Sequence, residues 1–75
     1  MLDIMRSRFG GSWDGEAPEI HGLLEMGGKK LKVELMFVAA TGQWQCSVFE
    51  EGECVSLESG EQPVEVTARA LSECF

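Results

Sequence analysis

Apolar and polar residues alternate through the middle of the chain, and short turn signals divide this part into strands. A two-residue loop at Thr41-Gly42 would place the residues on either side of it opposite one another. The resulting pairs are apolar on both sides: Ala39 with Trp44, Phe37 with Cys46, and Leu35 with Val48. A second such loop at Glu51-Gly52 would pair Val48 with Val55 and Cys46 with Leu57. We therefore predict three antiparallel strands whose common core face carries Leu35, Phe37, Cys46, Val48, Val55 and Leu57.

The segment before this meander can add a fourth strand. If Gly27-Gly28 forms a two-residue loop, Leu24 faces Leu31, Gly22 faces Val33 and Ile20 faces Leu35, so the same core face continues. A four-residue loop over 27–30 preserves these faces. A helix from Ala17 to Met26 is the alternative, with Gly22 in its interior costing roughly 1 kcal/mol relative to alanine. We favour the strand.

A C-terminal helix over residues 62–75 is predicted after the meander. Pro63 stands near the first helical position, where its missing N–H costs nothing. The predicted buried stripe is Val64, Ala68, Leu71 and Phe75, flanked by Thr67 and Cys74, with Glu65, Arg69 and Glu73 in water.

The N-terminal 18 residues are the least determined part of the pattern. Leu2, Met5 and Phe9 recur at helical spacing, which leaves a docked helical turn and an edge strand both open. The turn formers over 10–18 predict a loop. Trp13 lies in this loop, either as a lid over the core or as an anchor for a partner.

These elements predict one α+β domain over residues 1–75. It is a small antiparallel β-meander of three to four strands with a C-terminal helix packed on one face. The N-terminal segment and loop occupy 1–18, the meander 19–58 and the helix 62–75. No apolar run approaches the roughly 18 residues of a membrane span, and the N-terminus is no signal peptide, so we expect a cytoplasmic protein without membrane partners.

Charge restricts the partners that the chain can bind. Thirteen acidic against six basic residues give a formal net charge of -7. Direct nucleic-acid binding normally requires a basic surface, so we expect none, and we expect a protein partner with a basic surface. Charge that only keeps the protein soluble is the alternative.

The residues that could carry chemistry predict neither an enzyme nor a metal or cofactor site. One histidine, His21, and three cysteines, Cys46, Cys54 and Cys74, lack the close Cys-x2-Cys pairs of structural zinc sites and any motif that activates a thiolate. The glycine pairs lack the lysine and following helix of a phosphate loop. An odd number of cysteines indicates a reducing compartment.

The sheet face that the helix leaves uncovered carries the candidate binding residues. Alternation places His21, Leu23, Met36, Val38, Phe49 and Cys54 there, among Lys32, Gln43, Gln45 and Ser47. Such an apolar patch often marks an interface, either with another protein or within a homodimer, unless the N-terminal segment folds over it. The predicted partner-binding residues are Trp13, Met36, Val38, Phe49, Glu50, Glu51 and Glu53.

The segment QWQCSVFEEGECVSLESGEQPVEVTARALSEC, residues 43–74, resembles the strand, strand, helix core of HicB-type antitoxin domains. The resemblance implies a dimeric interaction or antitoxin-type module. The chain lacks the Pro-Gly-Cys type segment between strands, the strand after the helix and the DNA-binding appendage of that pattern.

In size and acidity the chain is similar to phage-encoded inhibitors, including anti-CRISPR proteins, which block basic nucleic-acid channels. Loops and strand ends carry acidic side chains that could occupy a lysine- and arginine-lined groove in place of phosphates: Asp14, Glu16, Glu50, Glu51, Glu53, Glu58 and Glu61. The leading hypothesis is therefore a small acidic inhibitor that mimics nucleic acid, and the dimeric or antitoxin-type module is the second.

Overall fold

The computed structural model of the chain describes residues 1–74 and shows an α+β fold with one five-stranded antiparallel sheet. The strands follow one another in space in their chain order. The elements are α1 (Leu2–Phe9), β1 (Ser12–Glu16), β2 (Glu19–Met26), β3 (Lys29–Val38), β4 (Gln43–Glu50), β5 (Glu53–Gly60) and α2 (Pro63–Ser72). The predicted class, a small α+β meander with a C-terminal helix, is confirmed, with one strand more than expected.

The β2–β3 hairpin has the predicted register. Leu24 lies opposite Leu31, and Ile20 lies opposite Leu35, with all four side chains buried. Gly27 and Gly28 form the turn with φ of 58° and 79°, a left-handed backbone that glycine adopts without steric cost. The alternative helix over this segment is wrong, because the buried side chains repeat every second residue.

The β3–β4 hairpin keeps the predicted faces but not the predicted pairs. Its loop covers four residues, 39–42, because the N–H groups of Thr41 and Gly42 both donate to the Val38 carbonyl, at 3.1 and 2.9 Å. The register therefore moves by two residues, so Leu35 meets Cys46 and Phe37 meets Trp44. The prediction that Phe37 lies in the core is wrong, because Phe37 lies at the sheet's end, 36% exposed, with its ring centroid 5.4 Å from that of Trp44.

A β-bulge in β5 overturns the prediction that Val55 and Leu57 lie in the core. Phe49 pairs with Cys54 and Val48 pairs with Ser56, so Val55 has no partner and every later residue changes face. Leu57 is 53% exposed and Val55 is 40% exposed, while Ser56 is buried.

The predicted loop over 10–18 is also wrong in part, because residues 12–16 form the edge strand β1. Trp13 lies opposite Gly22 of β2, and its ring covers that glycine on the core side. Its indole N–H donates to the Gly10 carbonyl at 2.7 Å. Trp13 thereby covers the core at β1 and β2, which is the predicted role of a lid.

Both helices pack on the same face of the sheet. Met5 of α1 is fully buried in the same core as the buried side of α2. That side consists of Val66, Thr67, Ala70 and Leu71, continued by Cys74. Leu71, Thr67 and Cys74 of the predicted stripe are therefore buried as expected, whereas Val64 and Ala68 are only half-buried. Arg69 holds this orientation, because its guanidinium donates to the Ser59 carbonyl at 2.7 Å. Phe75, the last residue of the predicted stripe, lies outside the described residues, and α2 itself ends at Ser72.

Candidate partner-binding surface

The sheet surface opposite the two helices, called the outer face below, is open to solvent. Neither helix reaches it, because the buried residues of α1 and α2 all join the core on the other side. The predicted apolar residues lie on this face: Met36 is 45% exposed, and Val38 and Phe49 are half-buried. Two further leucines belong to it, Leu23 at 62% and Leu57 at 53% exposure. Polar residues separate some of these side chains, since Lys32 lies between Leu23 and Phe49 and Gln45 lies opposite Met36. The face therefore presents apolar and polar side chains together, as protein interfaces do.

A groove of about 730 Å³ crosses one end of the outer face. Leu23 and Phe49 lie on neighbouring sides of Lys32 in the sheet and form its apolar floor. The start of β1 forms one rim, and the β4–β5 turn forms the other. The groove is therefore a part of the outer face shaped to hold a partner's side chain.

An acidic corner occupies the other end of the outer face. Asp14, Glu16 and Glu19 project from the β1–β2 hairpin, and Glu19 lies directly opposite Met36. Asp14 and Glu16 lie on β1, where Glu16 pairs with Glu19, so Glu19 stands between Glu16 and Met36. The prediction of a loop over residues 10–18 does not place these two carboxylates on the sheet. The alternation Ser12, Trp13, Asp14 was a signal for a strand that the surrounding glycines obscured.

The hairpin tip formed by Glu50, Glu51 and Glu53 does not lie wholly beside the apolar residues. Glu50 pairs with Leu31 and so faces the helix side, where its carboxylate lies 3.9 Å from the Lys29 ammonium. Glu53 lies opposite Glu50. Glu51, in a left-handed conformation with φ of 53°, lines the groove. Of these three glutamates, only Glu51 is therefore placed against the outer-face groove.

Trp13, the remaining predicted partner-binding residue, is 3% exposed and is held on both sides. The Phe9 ring lies 6.2 Å away, and the Arg6 guanidinium donates to the Trp13 carbonyl at 3.0 Å. A side chain this buried contributes to the core, so Trp13 as an accessible anchor is wrong.

A polar cluster lies on the helix side, where the bulge turned Ser56 and Glu58 toward α2. The Ser56 hydroxyl donates to the Glu73 carboxylate at 2.7 Å, and Arg69 lies 3.6 Å from the Glu58 carboxylate. A hydrogen bond with Glu73 raises the pKa of Glu58, and the Ser56 hydroxyl lowers the pKa of Glu73. These contacts satisfy the polar groups that replace Val55 and Leu57 on this face.

The cysteines fall into two environments. Cys46 and Cys74 are buried, and burial raises the pKa of the Cys46 thiol to about 11 and raises that of Cys74 as well. Cys54 is exposed on the outer face beside Phe49. Thiols with a raised pKa hold little thiolate at neutral pH and are poor nucleophiles.

No group of three or more His, Cys, Asp and Glu side chains among residues 1–74 is arranged to hold a metal ion. Within the same residues, neither helix has the length and apolar character needed to cross a bilayer. Comparison of the chain with protein-family models, with curated proteins and with solved structures finds no match.

Proposed function

We propose that this protein is a non-enzymatic protein-binding domain that engages a partner with a basic surface through its outer face. The observation that carries the proposal is the exposure of Leu23, Met36 and Leu57 on a sheet face that neither helix covers. Leaving three large apolar side chains in water has no benefit for folding, whereas burial against a partner contributes about 25 cal/mol per Å².

The charge beside this apolar surface supports a basic partner. The acidic corner of Asp14, Glu16 and Glu19 adjoins Met36, and the chain as a whole carries a formal charge of -7. Complementary charge accelerates association and selects against acidic partners.

The finer proposal is that the partner is a nucleic-acid-binding protein or complex and that binding inhibits it. In this proposal, carboxylates of the acidic corner and of the hairpin tip occupy sites that otherwise hold phosphates. The negative charge of the acidic corner and of Glu51 beside the apolar residues of the outer face supports this proposal. The odd number of cysteines supports a cytoplasmic location, where thiols stay reduced.

The proposal is tested by capture from a lysate of the native cell followed by a functional assay on the captured protein. We expect Met36→Lys to prevent capture, because a charge then faces the partner's apolar surface. Asp14→Lys combined with Glu16→Lys should also prevent it, and the wild-type capture should weaken steeply between about 0.05 and 0.5 M salt. The captured protein should bind nucleic acid, and the wild-type domain should displace that nucleic acid.

The matched control is Glu61→Lys combined with Glu65→Lys. It makes the same change in charge on exposed residues at the start of α2, away from the outer face, and should leave capture intact. Glu50→Lys, Glu51→Lys and Glu53→Lys together test the hairpin tip separately. Capture that survives both Met36→Lys and the Asp14/Glu16 reversal would contradict the outer face as the binding surface. If the wild-type domain leaves the nucleic-acid binding of the captured protein unaffected, this result would contradict the inhibition but not the binding surface.

A dimeric interaction module is the second candidate, and the same exposed apolar face favours it. In this case a second copy covers Met36, and the protein sediments as a dimer at high concentration. Met36→Lys should return it to a monomer. Ile4→Lys is the control, because Ile4 is an apolar side chain of α1 with 53% exposure that takes no part in the outer face. Monomeric behaviour of the wild type at all concentrations would eliminate this candidate.

A further inference from the structure

The groove on the outer face has the dimensions of a side-chain pocket. Its volume of about 730 Å³ falls in the range of roughly 300 to 1,000 Å³ in which proteins hold compact ligands. Leu23 offers 62% of its surface and lies across Lys32 from Phe49. Lys32 lies between them in the sheet and also lines the groove, with its side chain 56% exposed.

The chain backbone gives the groove a low rim on the β1 side. Gly11 forms this rim, and a side chain there would overlap the Leu23 carbonyl and the Leu24 side chain. On the opposite side the rim is the turn at Glu51 and Gly52. An extended segment can therefore cross the groove from one rim to the other.

The charged residues around the groove determine whether a positively or a negatively charged segment binds there. Three carboxylates, Glu25, Glu34 and Glu51, and two ammonium groups, Lys30 and Lys32, line it. The Lys32 ammonium lies 3.6 Å from the Glu34 carboxylate. One negative charge is in excess locally, and the surrounding molecule carries -7, so a cationic segment is attracted and an anionic one is repelled.

We infer that this groove is the anchor site for an extended segment of a basic protein, in which one large apolar side chain lies between arginine or lysine residues. The apolar side chain rests on Leu23 and Phe49, and the flanking cations meet Glu25, near the end of β2, and Glu51 on the rim formed by the β4–β5 turn. The inference rests on the proposed function and adds to it the chemistry of the segment that the partner presents.

Labelled synthetic peptides test the inference without knowledge of the partner. The first has one tryptophan flanked by arginines in a glycine–serine background. The second replaces the tryptophan with alanine, and the third replaces the arginines with glutamates. Fluorescence anisotropy should show saturable binding of the first peptide and affinities lower by about tenfold or more for the other two, since loss of a buried anchor or of charge complementarity costs at least that factor.

Two variants on the same face locate the binding site. Leu23→Thr removes one of the two apolar side chains of the groove floor, and Leu57→Thr changes a leucine that is 53% exposed and does not line the groove. Both positions are exposed and threonine suits a strand, so both variants should fold, which circular dichroism checks. We expect Leu23→Thr to weaken binding of the tryptophan–arginine peptide about tenfold and Leu57→Thr to change it less than about twofold.

Equal effects of Leu23→Thr and Leu57→Thr would overturn the groove as the site. Equal or tighter binding of the tryptophan–glutamate peptide would overturn the cationic segment, and absence of saturable binding up to about 1 mM would overturn the inference altogether. If no peptide binds while capture still depends on Met36 and the acidic corner, the inference about the groove is wrong and the proposed function is still supported. If the peptide binds as expected but the captured protein has no basic surface, the proposed function fails by itself.

Discussion

Gly22 shows how one missing side chain can position a strand. An added Cβ at Gly22 would lie 2.7 Å from carbon atoms of the Trp13 ring, closer than carbon atoms approach one another. The flat indole can therefore lie on β2 only because residue 22 has no side chain. This contact attaches the short edge strand β1, and with it the acidic corner, to the rest of the sheet.

We predict that Gly22→Ala lowers the free energy of unfolding by about 1 to 3 kcal/mol, because the added methyl group displaces the indole ring. Urea denaturation measures the change. The control is a double-mutant cycle with Trp13→Leu, whose smaller side chain leaves room for the methyl group. The cost of Gly22→Ala should shrink in the Trp13→Leu background, and an undiminished cost would show that the glycine is required for another reason.

Burial of the Cys46 thiol gives the fold a pH limit on the alkaline side. Burial raises the pKa of this thiol in the folded state from 9.0 to about 11, while the unfolded chain keeps the ordinary value. The contribution of the protonated Cys46 thiol to stability is therefore complete below pH 9 and is lost as the pH rises toward 11. Between these values the thiol ionises in the unfolded state but not in the folded state, so the free energy of the unfolded state alone is lowered.

We predict that ionisation of Cys46 lowers the free energy of unfolding by about 2 kcal/mol between pH 9 and pH 11. Denaturation curves at several pH values measure it. The variant Cys46→Val has no thiol proton to release, so its free energy of unfolding should fall less over the same interval. The titration of lysines is common to both proteins and cancels in the comparison. Parallel pH profiles for the two proteins would contradict the assignment to Cys46.

At the scale of the element, β5 shows how a bulge reverses the meaning of an alternating pattern. Val55 and Leu57 are apolar and Ser56 and Glu58 are polar, so alternation alone assigns the first pair to the core. The extra residue at Val55 turns the polar pair toward α2 instead, where buried Ser56 bonds to Glu73 and half-buried Glu58 lies beside Arg69. Hydrogen bonds supplied by α2 make this arrangement tolerable, because buried polar groups cost little when they are paired.

We predict that deletion of Val55 leaves the faces of β5 unchanged. Phe49 would still pair with Cys54 and Val48 with Ser56, in a continuous ladder without the bulge. Deletion of Ser47 from the central strand β4 is the contrasting change, since it turns half of that strand's core residues toward solvent. Hydrogen exchange and urea denaturation should show a folded Val55 deletion and an unfolded Ser47 deletion. Loss of the fold in both would mean that the bulge itself is required.

For the whole molecule, net charge opposes folding at low ionic strength. The chain extends over only 35 × 23 × 19 Å, which is comparable to the screening length of about 30 Å at 0.01 M salt. Every one of the excess acidic charges therefore repels the others. The ion pairs in the structure, such as Arg69 with Glu58, are partly exposed and screened by water, so they offset little of this repulsion.

We predict that sodium chloride raises the free energy of unfolding by about 1 kcal/mol between roughly 0.01 and 0.5 M, because it screens this repulsion. Thermal and urea denaturation measure the slope. Glu61→Lys with Glu65→Lys brings the formal charge from -7 to -3, since each reversal removes one negative charge and adds one positive, and should give a shallower slope. Stability that falls with salt would show that the ion pairs outweigh the repulsion.

The sequence by itself determined the α+β class, the register of the β2–β3 hairpin and the outer-face positions of Met36, Val38 and Phe49. It could do so because a strand buried on one side alternates with period two, and a turn such as Gly27-Gly28 leaves one register that keeps both strands consistent. The terminal helix was also predictable from Pro63 and from apolar spacing, although not its rotation. That rotation depends on Arg69 reaching Ser59, which is a contact between elements.

Only the tertiary structure decided the face of β5, the existence of β1 and the position of the acidic corner. A bulge needs no local signal, because it is stabilised by partners on another element, here Glu73 and Arg69 of the C-terminal segment. The strand β1 is short and rich in turn formers, and it is held by the contact of Trp13 with Gly22 rather than by its own propensity. Interactions between residues distant in the chain therefore decided which acidic side chains stand beside Met36 and which face the helices.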